Sequence, residues 1–227
     1  MGSGSLTDLP HEVIELAHRA GIDTSDDARS ASFYHVDQET IYSVVNDRFR
    51  GQIELLDVKD ALERYDWVRD YFWDVVSRDA DEYTRKVDQE FSGGYFMHIL
   101  GGAKVDFPLQ SCLMLTEKKV EQRIHNLIIA EPGSEARIIS GCVTEKQVAK
   151  GAHLGISEFY IKEGANLNFT MIHNWSENVV VRPRSAARVE KDASFISNYI
   201  CLQPSLTCRC IRRRILSGRT RRLHLIT

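Results

Sequence analysis

Four segments in the second half of the chain share one template, and this repeat limits the possible folds more than any other feature. Each begins with a turn or small residue, continues with alanine and then alternates apolar with polar positions. They are GGAKVDFPLQ from residue 101, PGSEARIISGC from 132, EGANLNFTMI from 163 and KDASFISNYIC from 191. Aligned on Ala103, Ala136, Ala165 and Ala193, they are 33, 29 and 28 residues apart. Such a period is typical of a solenoid, because each unit can bury its apolar face only against the next unit.

A second strand-like run precedes each of these segments: GYFMHI, HNLIIA, SEFYIK and SAARVE. Two strands and a turn in about 30 residues fit one coil of a β-helix or one hairpin of a meander. No helical pattern separates the runs, which argues against a doubly wound fold. The sequence therefore predicts a mainly β fold, a β-solenoid over residues 91–204.

The alternation also predicts which side chains point into the solenoid. The inward set holds Ala103, Val105, Phe107 and Leu109 in one unit and Ala165, Leu167, Phe169 and Met171 in another. Cys142 and Cys201 fall on the same inward parity in their own units. Because a buried cysteine behaves as a small apolar side chain, the pattern alone favours a structural role for both.

Residues 1–90 have a different, α/β pattern. The predicted elements are a helix over Pro10–Ala20, a helix from Asp60 to about Ser77, and short strands at Tyr34–Val36 and Ile53–Val58. The opening MGSGS, residues 1–5, resembles an expression-tag remnant and is not expected to take part in the fold.

Composition excludes several classes of protein. With 43% hydrophobic and 27% charged residues the chain belongs among soluble globular proteins. It has neither an apolar run of about 18 residues nor the layout of a secretory signal, so a cytoplasmic location is expected. Its five cysteines are odd in number, irregularly spaced and without a CxxC pair, so neither a disulfide framework nor a structural zinc site is expected.

The last part of the chain, residues 205–227, differs from everything before it. It holds seven arginines and no lysine, aspartate or glutamate, whereas residues 1–204 carry a formal charge of −10. An acidic body is not a nucleic-acid surface. The alternation also stops, so this tail is not expected to continue the repeat. Two explanations stand: a truncation or reading-frame shift after about residue 204, or a genuine basic tail that binds RNA or an anionic surface.

Several motifs, in order, resemble the SufB/SufD family of iron–sulfur cluster assembly proteins. They are FSGGYFMHILGGAKVDFPLQ (91–110), NLIIAEPGSEARIISGC (126–142) and HNW (173–175), preceded by ALERYDWVRDYF (61–72), which resembles the helix before the family's β region. The resemblance runs from about Ala61 to Pro204 and implies a right-handed parallel β-helix. For one choice of codons over Arg209–Arg213, the shifted frame reads Met-Tyr-Pro-Thr, which resembles a motif that the family carries there.

The resemblance also implies a function. Family members are non-enzymatic scaffold subunits of the Suf system, which pair with a SufB- or SufD-type partner or with themselves. They bind the ABC-type ATPase SufC through a C-terminal helical region, and an iron–sulfur cluster is assembled transiently on the complex. This chain has no GxxxxGK[ST] loop, so any use of ATP is expected to belong to the partner. No membrane or nucleic-acid partner is implied.

Residue by residue, the resemblance points to one sulfur-handling candidate. Cys142 stands where the family's GC-x-A-P motif has a sulfur-receiving cysteine, although this chain reads GCVTE. His153 matches a family histidine in the following strand, and His173-Asn174-Trp175 matches a Q-N-W segment with His in place of Gln. These departures are consistent with a SufD-like or archaeal-type member. Cysteine and histidine also suit iron or cluster ligation, but no spacing identifies a metal site.

A sulfur acceptor must present a thiolate, which a neighbouring cation or imidazolium favours. His153, His173, Arg137 and Arg184 can supply such a charge only if the fold brings them near Cys142. The alternative is that the histidines are hydrogen-bonded strand residues and Trp175 caps the solenoid.

Two other functions remain open on the sequence. One is a purely structural β-helix adaptor without chemistry. The other is a polysaccharide-acting β-helix enzyme, which needs clustered carboxylates on one face of adjacent coils. The acidic residues of the repeats, Asp106, Glu135, Glu163 and Asp192, occupy different template positions, which disfavours the enzyme.

Overall fold

The computed structural model describes residues 6–148, 150–203, 209, 211–216 and 222–226. The opening residues 1–5, interpreted above as a tag remnant, lie outside this part. The helices are α1 (His11–Arg19), α2 (Val58–Arg64) and α3 (Glu82–Gln89). The strands are β1 (Ala31–Val36), β2 (Glu39–Val45), β3 (Ile53–Asp57), β4 (Tyr95–Ile99), β5 (Leu109–Leu115), β6 (Glu121–Ala130), β7 (Glu135–Thr144), β8 (Gly151–Ile161), β9 (Asn166–Asn174), β10 (Val179–Val181), β11 (Arg184–Val189), β12 (Ser194–Gln203), β13 (Ile211–Leu216) and β14 (Arg222–Ile226).

The described strands form two sheets that wind together. Sheet A has the order β14-β12-β9-β7-β5-β1-β2, and sheet B has the order β13-β11-β8-β6-β4-β3, with β10 beside β8. Each coil takes one strand from sheet B and the next from sheet A, and neighbouring coils pair in parallel. Only the first coil contains antiparallel pairs, β1 with β2 and β3 with β4, among the described strands. The predicted parallel β-solenoid is confirmed.

The turns between sheets B and A explain the repeat. In three of them a glycine has a positive φ, at Gly102, Gly133 and Gly164, and in the fourth Asp192 takes this position. Glycine is favoured there because it has no Cβ to clash with the backbone. The observed register stacks the residues that follow them, Ala103, Ser134, Ala165 and Ala193, at spacings of 31, 31 and 28 residues.

The alignment on Ala136 was therefore wrong by two residues. Ser134 takes the place of the alanine because its hydroxyl donates to the Glu131 carbonyl, 2.7 Å away, across the turn. A two-residue error leaves the inward parity unchanged, since side chains alternate with a period of two. The inward set was accordingly assigned to the correct face, and its members line the core between the sheets.

The N-terminal region does not form a separate layer. Its strands β1 and β3 join sheets A and B directly, so the solenoid begins well before residue 91. Helix α1 matches its prediction and covers the outer face of sheet A, where Leu16 and Ala17 pack against Cys112 and Met114. Helices α2 and α3 cover the outer face of sheet B.

The second predicted helix is much shorter than its apolar spacing indicated. Helix α2 ends at Arg64, a 3-10 segment spans Asp66–Asp70, and turns follow. Beyond them, the backbone N–H groups of Trp73, Val75 and Val76 bind a buried carboxylate instead of continuing a helix. Helix α3 was not predicted, although its capping box, Asp81 with Thr84, is visible in the sequence.

The tail also differs from expectation where it is described. Residues 211–216 pair in parallel with β11, and residues 222–226 pair in parallel with β12, so both extend the solenoid. The edges of β11 and β12 offer backbone groups that any extended segment can pair with, whatever its side chains. Among the described helices, none is long and apolar enough to cross a membrane.

Candidate functional site

One row of inward-facing positions crosses sheet A and contains Cys142. The register pairs His35 with Leu113, Leu113 with Cys142, Cys142 with His173, and His173 with Cys201. Paired residues of a parallel ladder point to the same face, about 4.8 Å apart from strand to strand. Cys142 and His173 are therefore neighbours in adjacent coils.

Cys142 lies in a closed, largely apolar environment. Its side chain has no exposed surface, and the Sγ–H group lies 3.6 Å from Met171 Sδ. Burial raises the pKa of the thiol, because the thiolate loses its hydration. In this structure Cys142 is thus a protonated, buried thiol, which fits the structural role that parity suggested.

His173 is held firmly beside it. The residue is 2% exposed, and Nδ1 lies 2.7 Å from the Tyr199 hydroxyl on the next coil. The centroid of the Trp175 ring lies 5.7 Å away. The fold therefore brings a fixed imidazole into the row of Cys142.

His153 enters the same region from sheet B. Its Nδ1 lies 2.8 Å from Gln122 Oε1, and its ring packs against Trp175 at a centroid distance of 4.8 Å. Burial lowers the pKa of His153 to about 3, and the nearby His173 and His35 lower it further in the same direction. His153 is consequently neutral, while Trp175, 1% exposed, joins the two histidines across the gap between the sheets.

A second polar layer next to Cys142 was missed by the sequence interpretation. The Ser111 hydroxyl donates to Ser140 Oγ at 2.8 Å, and Tyr95 lies close to both serines and to Cys142. Burial, and to a smaller extent Cys142, raises the pKa of Tyr95. This layer could have been predicted from the two serines, because each occupies an inward position of an apolar strand, where a polar group needs a hydrogen-bond partner.

The two arginines considered in the sequence lie elsewhere. Arg184 faces outward and binds Asp81 of the α3 cap, with Nε 2.6 Å from Oδ2. Arg137 lines a groove of about 370 Å³ on the outer face of sheet A. Both side chains lie on outer faces of the solenoid, so the structure does not bring Arg184 or Arg137 to the Cys142 thiol.

Cys201 also departs from expectation. Its parity predicted burial, but it is exposed, since β14 pairs with β12 only over Ser194–Asn198. Within the part of the chain that the structure describes, no group of three or more His, Cys, Asp or Glu side chains is placed to hold a metal ion. Cys142, His153 and His173 thus form a polar cluster rather than a preformed metal site.

The outer groove offers nothing for glycoside chemistry. Its two best-placed carboxylates are already paired, Asp106 with Arg48 at 2.7 Å and Glu135 with Lys104 at 2.8 Å. A glycosidase needs two carboxyl groups that face one sugar-binding cleft and can bind a proton or attack carbon. The geometry disfavours the polysaccharide-acting alternative.

Comparison with known proteins identifies one family. Residues 113–221 match the family model described as SUF system FeS cluster assembly, SufBD core domain. An iron–sulfur cluster assembly SufBD family protein of Archaeoglobus fulgidus is 48% identical over 191 residues, covering 84% of this chain and 50% of the relative. A protein of the same description from Methanothermobacter thermautotrophicus is 42% identical over 202 residues, covering 87% and 48%.

A more distant relative is the iron–sulfur cluster assembly protein SufB of Bacillus subtilis. It is 24% identical over 178 residues, which cover 77% of this chain and 38% of the relative. The chain spans about half the length of its archaeal relatives. With these identities over most of its length, and with the motifs in order along it, the chain belongs to the SufB/SufD family of iron–sulfur cluster assembly proteins.

Proposed function

We propose that this chain is part of a non-enzymatic scaffold subunit of the Suf machinery and that Cys142 receives sulfur within it. The observation that supports this most is the row across sheet A that places His173 next to Cys142. Trp175, His153 and the Ser111–Ser140 pair complete a buried polar cluster between the two sheets. Buried polar groups are costly to maintain, so such a cluster is more easily explained by chemistry than by packing.

In this proposal the iron–sulfur cluster is cargo. It is assembled transiently on the full-length complex, which pairs this subunit with a SufB- or SufD-type partner or a second copy. A SufC-like ATPase supplies the ATP-driven step. Within the described part, the proposed cluster of side chains offers one thiol and two imidazoles, which suits handling of sulfur rather than holding of a complete cluster.

The first test asks whether sulfur reaches Cys142. The reduced full chain is incubated anaerobically with inorganic polysulfide, alkylated, digested and analysed by mass spectrometry. We expect one added sulfur atom on the peptide that contains Cys142, and its loss in Cys142→Ser. Cys112→Ser is the matched control, because Cys112 is also fully buried but lies under helix α1 on the outer face.

Reconstitution with iron and sulfide, followed by visible absorption and iron counting, then asks whether the chain holds a cluster by itself. The specific alternative is a structural adaptor without chemistry, which the burial and raised pKa of Cys142 favour. Sulfur found only on the exposed Cys201, in a folded protein, would support that adaptor and refute the proposal.

A further inference from the structure

We propose that His173 accepts the proton of Cys142 when the thiol is activated, and that Tyr199 positions the His173 ring for this transfer. The inference rests on the proposed sulfur-handling role of Cys142. It gives His173, on β9, the specific role of proton acceptor, and it adds Tyr199, on β12, which the sequence analysis did not consider.

The first argument is placement. Cys142 and His173 are register partners on adjacent strands and occupy the same inward row. Both are almost completely buried, so water is not at hand to take the proton of the thiol. A buried thiolate needs a nearby cation, and an imidazole that receives the proton becomes that cation.

The second argument is the hydrogen bond that fixes the ring. Tyr199 and His173 Nδ1 are 2.7 Å apart, and their rings meet edge to face with centroids 4.8 Å apart. If Nδ1–H donates to the tyrosine oxygen, the neutral ring keeps its lone pair on Nε2 and can take a proton there. Tyr199 thereby selects the tautomer and stabilises the imidazolium that forms.

The third argument is that the other titratable groups that the described residues place in this region are less suited. Tyr95 lies close to Cys142, but it is a neutral phenol whose pKa burial raises, and a neutral phenol is a weak base. His153 is bound to Gln122, and its low pKa disfavours protonation. His35 is bound to Thr40 and lies across Leu113 from Cys142 in the row. Cys201, on the other side of His173, is itself a thiol.

The resulting step is balanced without an oxidant. The proton moves from Cys142 Sγ to His173 Nε2, and the thiolate attacks the terminal sulfur of a donor persulfide, R–S–SH. The donor's S–S bond breaks as the new S–S bond forms, leaving Cys142–S–SH and R–S⁻. The proton on His173 then passes to R–S⁻. The net reaction converts Cys142–SH and R–S–SH into Cys142–S–SH and R–SH.

The test is a pH titration of the ultraviolet absorbance of the thiolate, the form of cysteine that reacts. Each protein is measured against the same protein carrying Cys142→Ser, so that the absorbance of the other cysteines and of the tyrosines cancels. We expect His173→Gln to lower the Cys142 thiolate fraction at a given pH about tenfold, the lower end of what a neighbouring opposite charge produces. Tyr199→Phe should lower it by a smaller factor.

His98→Gln is the control, because His98 lies on the outer face of sheet B between Glu54 and Glu131. It should leave the titration unchanged. An unchanged thiolate fraction in folded His173→Gln overturns the inference, and if that variant does not fold, an unchanged fraction in Tyr199→Phe does so. The titration is independent of sulfur loading, so a failure of the polysulfide experiment alone identifies the proposed function as the part that is wrong.

Discussion

At the scale of single residues, the carboxylate of Glu158 shows how the outer face of sheet B is organised. It has no exposed surface and accepts backbone N–H groups from Trp73 at 2.6 Å, Val75 at 2.8 Å and Val76 at 2.9 Å. His125 Nε2 lies 2.8 Å from the same carboxylate. Trp73 has a φ of 64°, an unfavourable value for a bulky residue, which these bonds help to maintain.

Replacing this carboxylate should strongly destabilise the fold. Glu158→Ala leaves three buried N–H groups without an acceptor, and we expect a loss of about 3–5 kcal/mol in the free energy of unfolding. Urea denaturation followed by fluorescence measures it. Glu163→Ala, at an exposed position in a turn, should change the same quantity by less than about 0.5 kcal/mol. Similar losses for the two variants would contradict this account.

Buried neutral histidines should make stability depend on pH. Burial lowers the pKa of His153 to about 3 and of His35 to about 4, and it also lowers the pKa of His125. The unfolded chain binds protons near pH 6.5, before the folded chain does, so the stabilisation is present above that pH and is lost as the pH falls toward 4. We expect a loss on the order of 1–2 kcal/mol for each of His153 and His35 between pH 7 and pH 5.

Urea denaturation at the two pH values checks this expectation. His153→Gln should reduce the difference between pH 7 and pH 5, because one proton-binding group of the unfolded chain is removed. His11→Gln, at a position that is 85% exposed, should leave the difference as it is in the parent chain. An equal pH dependence in His153→Gln and the parent would show that His153 is not held neutral.

At the scale of elements, strands that lie very close together leave no room for a side chain at certain positions. Gly94 precedes β4 with a φ of 145°, and a Cβ there would lie 2.2 Å from the backbone oxygen of His125. Gly94 also accepts from the Val58 amide, which starts helix α2. This glycine therefore holds β4, β6 and α2 together.

Gly94→Ala should prevent the native packing of that junction. A backbone oxygen cannot move aside as a flexible side chain can, so we expect a loss of more than about 3 kcal/mol or failure to fold. Gly101→Ala is the matched control, because its Cβ would meet only the Pro132 oxygen at 3.8 Å. Thermal unfolding followed by circular dichroism separates the two. A Gly94→Ala protein as stable as Gly101→Ala would show that the junction has room for a side chain.

The sequence could predict the solenoid because the period of two recurs from coil to coil and three of the four turns carry a glycine, and both are local signals. It could predict Cys142, His173 and Trp175 as candidates, but not that two of them are register partners, since a register depends on turn length across coils. The misplaced anchor at Ala136 illustrates this. Glu158 was missed because its partners are backbone N–H groups some 80 residues away, which no side-chain pattern records.

At the scale of the whole molecule, the two ends of the solenoid differ. The first coil is closed by antiparallel pairs, β1 with β2 and β3 with β4. At the other end, large apolar side chains are exposed at Ile200 (43%), Leu202 (56%) and Ile211 (47%). Parallel strands with unpaired edges and apolar side chains favour pairing with another chain.

We therefore expect the chain to self-associate through the end that carries β13, β14 and the last residues of β12. Ile200→Lys with Leu202→Lys should shift the protein toward monomer, because charges at a sheet edge oppose pairing. Sedimentation velocity over a range of protein concentrations measures the shift. Ile41→Lys is the control, since Ile41 is similarly exposed (37%) but lies on β2 at the closed end. If the Ile41 variant dissociates and the Ile200–Leu202 variant does not, the association uses the closed end, and the open end is not the pairing surface.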